Sequence, residues 1–136
     1  MEAKFSKSEH STFKYWFAHW CAYNMTALVL HAWHPRYLLH DIEKPWMKFF
    51  MPYTVMKEKH RSYSRHHYQY RGGVAGIDYE GMVIDWESAK FTKAASQMNA
   101  REYFEANKQR FKWVFGSEKS VYFIKHVEYA FERLGL

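Results

Sequence analysis

The chain of 136 residues and 16.6 kDa has room for one domain and too little for two ordinary ones. A hydrophobic fraction of 48% excludes a disordered chain, and a mean hydropathy of −0.58 with no apolar run near about 18 residues excludes a membrane-spanning helix. A formal charge of +6 and a pI near 9.3 favour anionic partners such as nucleotides, nucleic acids or acidic surfaces.

One cysteine, Cys21, excludes an internal disulfide framework and any Cys-rich zinc module. The opening Met1-Glu-Ala-Lys-Phe-Ser-Lys-Ser is charged and lacks the apolar core of a signal peptide. Both features point to a reducing, cytoplasmic setting, with residues 1–10 expected as a flexible extension. Eleven Phe, eleven Tyr and six Trp outnumber the six Leu, four Ile and seven Val, so the core must be built largely from rings. Nine histidines accompany them.

Phe13, Trp16, Phe17, Trp20 and Tyr23 recur at helical spacing and predict a first helix from about Ser11 to about Leu30. His34-Pro35 breaks the chain and starts a second helix through Leu38, Leu39 and Ile42, with Pro45 interrupting it after Lys44. His31 and His34, flanking the break, read as surface or capping residues. Trp46, Phe49 and Phe50 form a short continuation. A third helix, roughly Tyr53 to Tyr70, carries Met56, His60, Tyr63, His67 and Tyr70 on one face. The run Arg71-Gly-Gly-Val-Ala-Gly76 is a loop. Asp78 is a plausible N-cap for a fourth helix, on which Met82, Asp85, Trp86 and Ala89 share a face. Asn99 and Glu102 form a capping-box pattern for a fifth helix ending near Gly116. Ser117 caps a sixth, from Glu118 to about Arg133. Strand signals are nearly absent, so the expected fold is all-α: a single helical domain of five to seven helices spanning residues 1–136.

Several polar residues share these apolar stripes. His19 lies about 40° of helical rotation from Tyr23 and about 60° from Trp16. His60 and His67 are two turns apart on one face, with His66 to the side. Asp85 sits at the centre of its stripe, and His40-Asp41 adjoins the apolar Leu38-Leu39. Taken singly, His19 reads as a hydrogen-bonded core histidine, and Asp85 as the partner of a buried Arg or Tyr. A buried unpaired carboxylate is expensive. Taken together, these groups are what a divalent metal satisfies, since neutral imidazole and ionised carboxylate are its usual N and O ligands. The aromatic residues Trp16, Trp20, Tyr63, Tyr70 and Trp86 would wall such a site. His10 and His126 carry no comparable signal.

The order His19, His40-Asp41, Asp85 resembles the HD-domain superfamily of metal-dependent phosphohydrolases. His40-Asp-Ile-Glu-Lys44 is similar to the His-Asp-x-Gly-Lys of its cyclic-di-GMP phosphodiesterase branch, in which a later His and a His-His pair bind a second metal. His60 and His66-His67 occupy the corresponding order. The chain looks closer still to a short bacterial and phage family known only as a domain of unknown function. The matching residues are His40-Asp-x-x-Lys44, His60, His66-His67, Met82-x-x-Asp85-Trp86 and Tyr103-Phe-Glu-Ala-Asn-Lys108, from His19 to the C-terminus. Glu43 replaces the phosphodiesterase glycine, the Gly-Tyr-Pro signature of that branch is absent, and Ser64 stands where the short family often has Asn. The phosphodiesterase substrate is therefore not carried over.

The resemblance implies an HD-type phosphohydrolase acting on a nucleotide or other phosphorylated small molecule, in a bacterial or phage-infected cytoplasm. His19, His40, Asp41 and Asp85 would hold one divalent ion (Mn, Fe, Zn, Ni or Mg). Asp41 would bridge to a second held by His60, His66 and His67. In a continuous third helix His66 points about 100° from His67, which ranks His60 and His67 ahead of His66. Lys44 is the expected catalytic and phosphate-binding cation, with Arg61 and Arg65 as further phosphate ligands or as a solvated face. Two alternatives compete: an inactive HD-like module that binds a nucleotide or host protein, and a nucleic-acid binder. The latter would use Lys57, Lys59, Arg61, Arg65 and Arg71, opposed in that stretch by Glu58 alone.

Overall fold

Helix starts follow local chemistry where a small polar residue stands free to cap. Thr12 is extended (φ −82°, ψ 151°) and its hydroxyl accepts from the Tyr15 N–H, opening α1 at Phe13–Val29. The computed structural model describes residues 4–47, 49–64, 66–68, 76–93 and 98–136. After α1 come a 3-10 turn at Pro35–Leu39, then α2 (Lys44–Met47), α3 (Tyr53–Tyr63), α4 (Gly76–Thr92), α5 (Ala100–Phe115) and α6 (Ser117–Leu134). The six helices make an all-α fold. No helix among the described residues is long and apolar enough to cross a membrane.

Helix α4 is the axis of the molecule. It packs against α1 on one side and against α5 and α6 on the other, and is buried at Tyr79, Met82, Val83, Ile84 and Trp86. Burial on opposite sides explains why its apolar residues do not form one clean stripe. Rings fill the far side: Trp86 stacks on Phe104 and Phe111, and Phe104 meets Phe131 with centroids 5.3 Å apart. The α5 capping box forms as expected. The Asn99 side chain accepts from the Glu102 N–H (2.9 Å), and the Asn99 N–H donates to Glu102 Oε1 (3.1 Å).

Four expectations about helix boundaries and caps change. The second helix is only a 3-10 turn followed by a non-helical corner, because Asp41 turns to φ +55°. The third helix stops at Tyr63, where Ser64 goes extended (φ −86°, ψ 124°). Asp78 does not cap α4; it lies in its first turn and pairs with Arg36 at 3.0 Å. Ser117 is the first residue of α6, preceded by Gly116 at φ +84°, a left-handed conformation that glycine adopts without strain. His34 does cap, its Nδ1 accepting from the Arg36 N–H. The loop expected at residues 71–75 and the positions of Arg65, Tyr70 and Arg71 lie outside the described residues, as does the side chain of Tyr63. In the N-terminal segment, Phe5 is buried and its N–H donates to Thr92 O at 2.7 Å, tying it to the end of α4.

The core face of α1 is also not the expected one. Tyr15, His19, Tyr23, Thr26 and Ala27 are buried, whereas Phe13 and Phe17 are half exposed. His19 therefore lies at the middle of the buried face.

Candidate metal centre

The centre is organised by one residue in an uncommon backbone conformation. Asp41 is buried and left-handed (φ +55°), a region that Asp and Asn tolerate better than most side chains. Neighbours hold it there: its carbonyl accepts from Trp16 Nε1 (2.7 Å) and from the Lys44 N–H (3.1 Å). The corner turns its carboxylate inward, between α1, α3 and α4.

The two carboxylate oxygens face different partners. Oδ2 lies 3.6 Å from His19 Nε2, 3.4 Å from His40 Nε2 and 2.8 Å from Lys44 Nζ. Oδ1 lies 2.8 Å from His60 Nε2 and 3.2 Å from His66 Nε2. Asp85 Oδ1, from α4, reaches His19 Nε2 at 3.1 Å and His40 Nε2 at 3.5 Å. The two imidazole nitrogens are themselves 3.1 Å apart. Two groups of potential ligand atoms lie within 4.8 Å of one another: His19, His40 and Asp41, and Asp41, His60, His66 and His67. Asp85 adjoins the first group through its two imidazoles.

These spacings suit metal ions. Ligand atoms about 2.1 Å from one ion lie about 3.0–3.4 Å from their neighbours at common coordination angles. Hydrogen bonding alone serves the cluster poorly. Asp41 Oδ1 and the Nε2 atoms of His66 and His67 are buried without hydrogen-bond geometry, however close their neighbours. Protonation states agree with the spacing at His19, His40 and His67, whereas at His60 burial is outweighed by hydrogen bonds to Asp41 and Glu43, which raise its pKa. Burial pushes the His19 and His40 pKa values down, and burial with the adjacent His66 pushes that of His67 well down. These rings stay neutral. Burial alone would raise the Asp41 and Asp85 carboxyls, but surrounding imidazoles, and Lys44 beside Asp41, hold both well below the carboxylate range. Neutral imidazoles and ionised carboxylates are what a divalent cation requires. The protein thus holds a buried His/Asp cluster able to bind a metal ion.

Supporting contacts fix the rings. His60 Nδ1 hydrogen-bonds Glu43 Oε1, so Glu43 orients a histidine. Ser64 Oγ lies 2.8 Å from His66 Nδ1. Tyr23 stacks on His40 at 3.6 Å and 6°, while its hydroxyl donates to Gly81 O at 3.2 Å. A Cβ at Gly81 would come within 2.9 Å of that hydroxyl. Gly81→Ala is expected to destabilise the fold by about 1–3 kcal/mol, because a fully buried Tyr23 has nowhere to move. Urea unfolding checks this, and an unchanged midpoint would show that Tyr23 can yield.

Of the residues anticipated from sequence, His19, His40, Asp41, Lys44, His60, His66, His67 and Asp85 are brought together. The preference for His67 over His66 is reversed. With α3 ended at Tyr63 both can turn inward, and His66 makes the closer approach to Asp41. Lys44 spends its ammonium on Asp41. Arg61, on α3, forms no ion pair among the described residues, and Arg65 lies outside them. Trp16 borders the site and Trp20 Nε1 donates to Leu38 O, whereas Trp86 belongs to the far core.

Sequence reasoning missed Arg36. A cleft of about 330 Å³ reaches His40, Asp41 and His66 from outside, and Arg36, Tyr37 and Asp78 line it. Arg36 carried no local signal beyond its place after Pro35. A second space of about 20 Å³ lies between Lys44, His19 and Tyr53, room for about one water. No protein-family model, curated protein or solved structure matches the chain.

Proposed function

We propose that the protein is an HD-type metal-dependent phosphohydrolase acting on a nucleotide or related phosphoester. The observation that carries this reading is Asp41, whose two oxygens face two separate histidine groups. Such a carboxylate suits a pair of divalent ions held by His19, His40 and Asp85 on one side and by His60, His66 and His67 on the other. Bound divalent ions supply an activated water and Lewis acidity toward a phosphoryl oxygen. The remaining tasks fall to the chain itself. Lys44 balances the Asp41 charge, and Glu43 and Ser64 orient His60 and His66. Arg36 offers a guanidinium, held by Asp78, to a phosphate entering the cleft. The cleft volume lies within the about 300–1,000 Å³ of small-ligand sites, which favours mononucleotide-sized substrates over polymers.

The test is metal analysis of protein purified without chelator, then a phosphoester and nucleotide panel with Mn, Fe, Zn, Ni or Mg. Roughly one or two ions per chain and metal-dependent phosphate release are expected. A protein that stays metal-free with each ion supplied would sink the proposal. Tight nucleotide binding without turnover in any metal would replace it with the binding-module reading.

A further inference from the structure

The cleft that reaches the metal ligands has two chemically different ends. His40, Asp41 and His66 stand at the inner end, Arg36 and Asp78 at the outer. Arg36 is firmly mounted. Its backbone lies in the 3-10 turn opened by His34 and Pro35, and its Nη2 donates to Asp78 Oδ1 at 3.0 Å. The Asp78 side chain is buried, whereas 42% of the Arg36 side chain is in water. A guanidinium carries five N–H donors, and this is the one side-chain hydrogen bond that Arg36 makes among the described residues. The rest of the fork is left for a ligand.

Two rulers give the length between these ends. On α4, Asp78 and Asp85 lie two turns apart on one face, about 10 Å along the helix axis. Asp78 holds Arg36, and Asp85 Oδ1 reaches His40 Nε2 at 3.5 Å. Along the 3-10 turn, Arg36 and His40 are about 8 Å apart. Between Asp78 and Asp85, Gly81 lines the cleft with no side chain to block it. One phosphoryl group touching an ion on one side and a guanidinium on the other spans at most about 7 Å, and two linked groups about 10 Å. Lys44 is no substitute for Arg36, since its ammonium lies 2.8 Å from Asp41 Oδ2.

We infer that Arg36 is a specificity-determining residue that selects substrates carrying two linked phosphoryl groups, the terminal one among the metal ligands and the next on Arg36. This selection, which rests on the phosphohydrolase reading, narrows the substrate to a phosphoanhydride. Water adds to the terminal phosphorus, and the bond from that phosphorus to the bridging oxygen breaks. The bridging oxygen stays with the shorter product, inorganic phosphate is the other product, and one proton goes to solvent. A single phosphate at the inner end leaves Arg36 unused, so monoesters are the poorer ligands.

Calorimetry on the full chain with Mg in excess tests this with two probes, inorganic phosphate and imidodiphosphate. The wild type is expected to bind imidodiphosphate at least about 10-fold more tightly. Arg36→Gln should weaken imidodiphosphate binding by about 10–100-fold and phosphate binding by less than about 3-fold, so that the preference collapses. Arg36→Lys, which keeps the charge and loses the fork, should fall between. Should Arg36→Gln fail to fold because the buried Asp78 loses its cation, the double variant Arg36→Gln/Asp78→Asn removes both charges and takes its place. Equal wild-type affinity for the two probes, or a preference that survives Arg36→Gln, overturns the proposal. A protein that releases phosphate from monoesters without preferring imidodiphosphate keeps the phosphohydrolase reading and loses the selection by Arg36. One that prefers imidodiphosphate through Arg36 but turns over no phosphoanhydride keeps the selection and loses the hydrolase.

Discussion

Asp41→Asn is expected to abolish the proposed phosphohydrolase activity and lower metal affinity by more than the about 10–100-fold typical of residues that only orient a ligand. The substitution is chosen for its backbone. Asn tolerates the left-handed conformation at φ +55°, so the corner held by Trp16 and Lys44 can persist. Ala there would add conformational strain and blur the result. What Asn removes is the charge shared by both halves of the cluster, with Oδ2 toward His19 and His40 and Oδ1 toward His60 and His66. Both ions should be lost together. The substitution also leaves Lys44 without its partner. Breaking a buried ion pair costs about 3–5 kcal/mol, and the low end applies because Lys44 keeps 26% of its side chain in water. Metal stoichiometry, turnover and urea midpoint should therefore all fall. A variant retaining wild-type stoichiometry would show that Asp41 is not the shared ligand.

The second large effect is on thermal stability. Five imidazoles and two carboxylates gathered around one point form a site that only the folded chain possesses. An ion binding the native state alone stabilises it by about 2.7 kcal/mol at 100 times its Kd. For a chain of this size each kcal/mol raises Tm by about 3–5 °C. Adding Mn or Zn to chelator-treated protein should thus raise Tm by roughly 10 °C, and chelator should reverse the gain. Asp41→Asn should flatten the response. An unchanged Tm across a metal titration would mean that the cluster closes on its own hydrogen bonds.

Two environments divide α1: the buried side takes Tyr15, His19 and Tyr23, and the exposed side keeps Phe17, Met25 and Val29. Rings and aliphatic side chains therefore stand on both sides of the helix. This is why periodicity chose the wrong core face. An apolar stripe can be located only against a polar one, and the polar residues of α1 form no exposed stripe: His19, Asn24 and Thr26 are buried.

Much was legible without coordinates because it depends on neighbours in the chain. Helical spacing and the absence of strand patterns determined the all-α class, and Asn99 with Glu102 determined where α5 begins. The co-occurrence of His19, His40-Asp41, His60, His66-His67 and Asp85 determined which chemistry to seek. Other features depended on distant contacts. Asp41 turns left-handed because Trp16, 25 residues away, anchors its carbonyl. His66 reaches Asp41 because the chain leaves α3 at Ser64, where no Gly or Pro announces a stop. Arg36 lines the cleft because Asp78, 42 residues on, holds its guanidinium. Local sequence governs propensity and the supply of ligands. Only packing decides which carboxylate oxygen faces which imidazole, because that is settled by helices that meet in space and not along the chain.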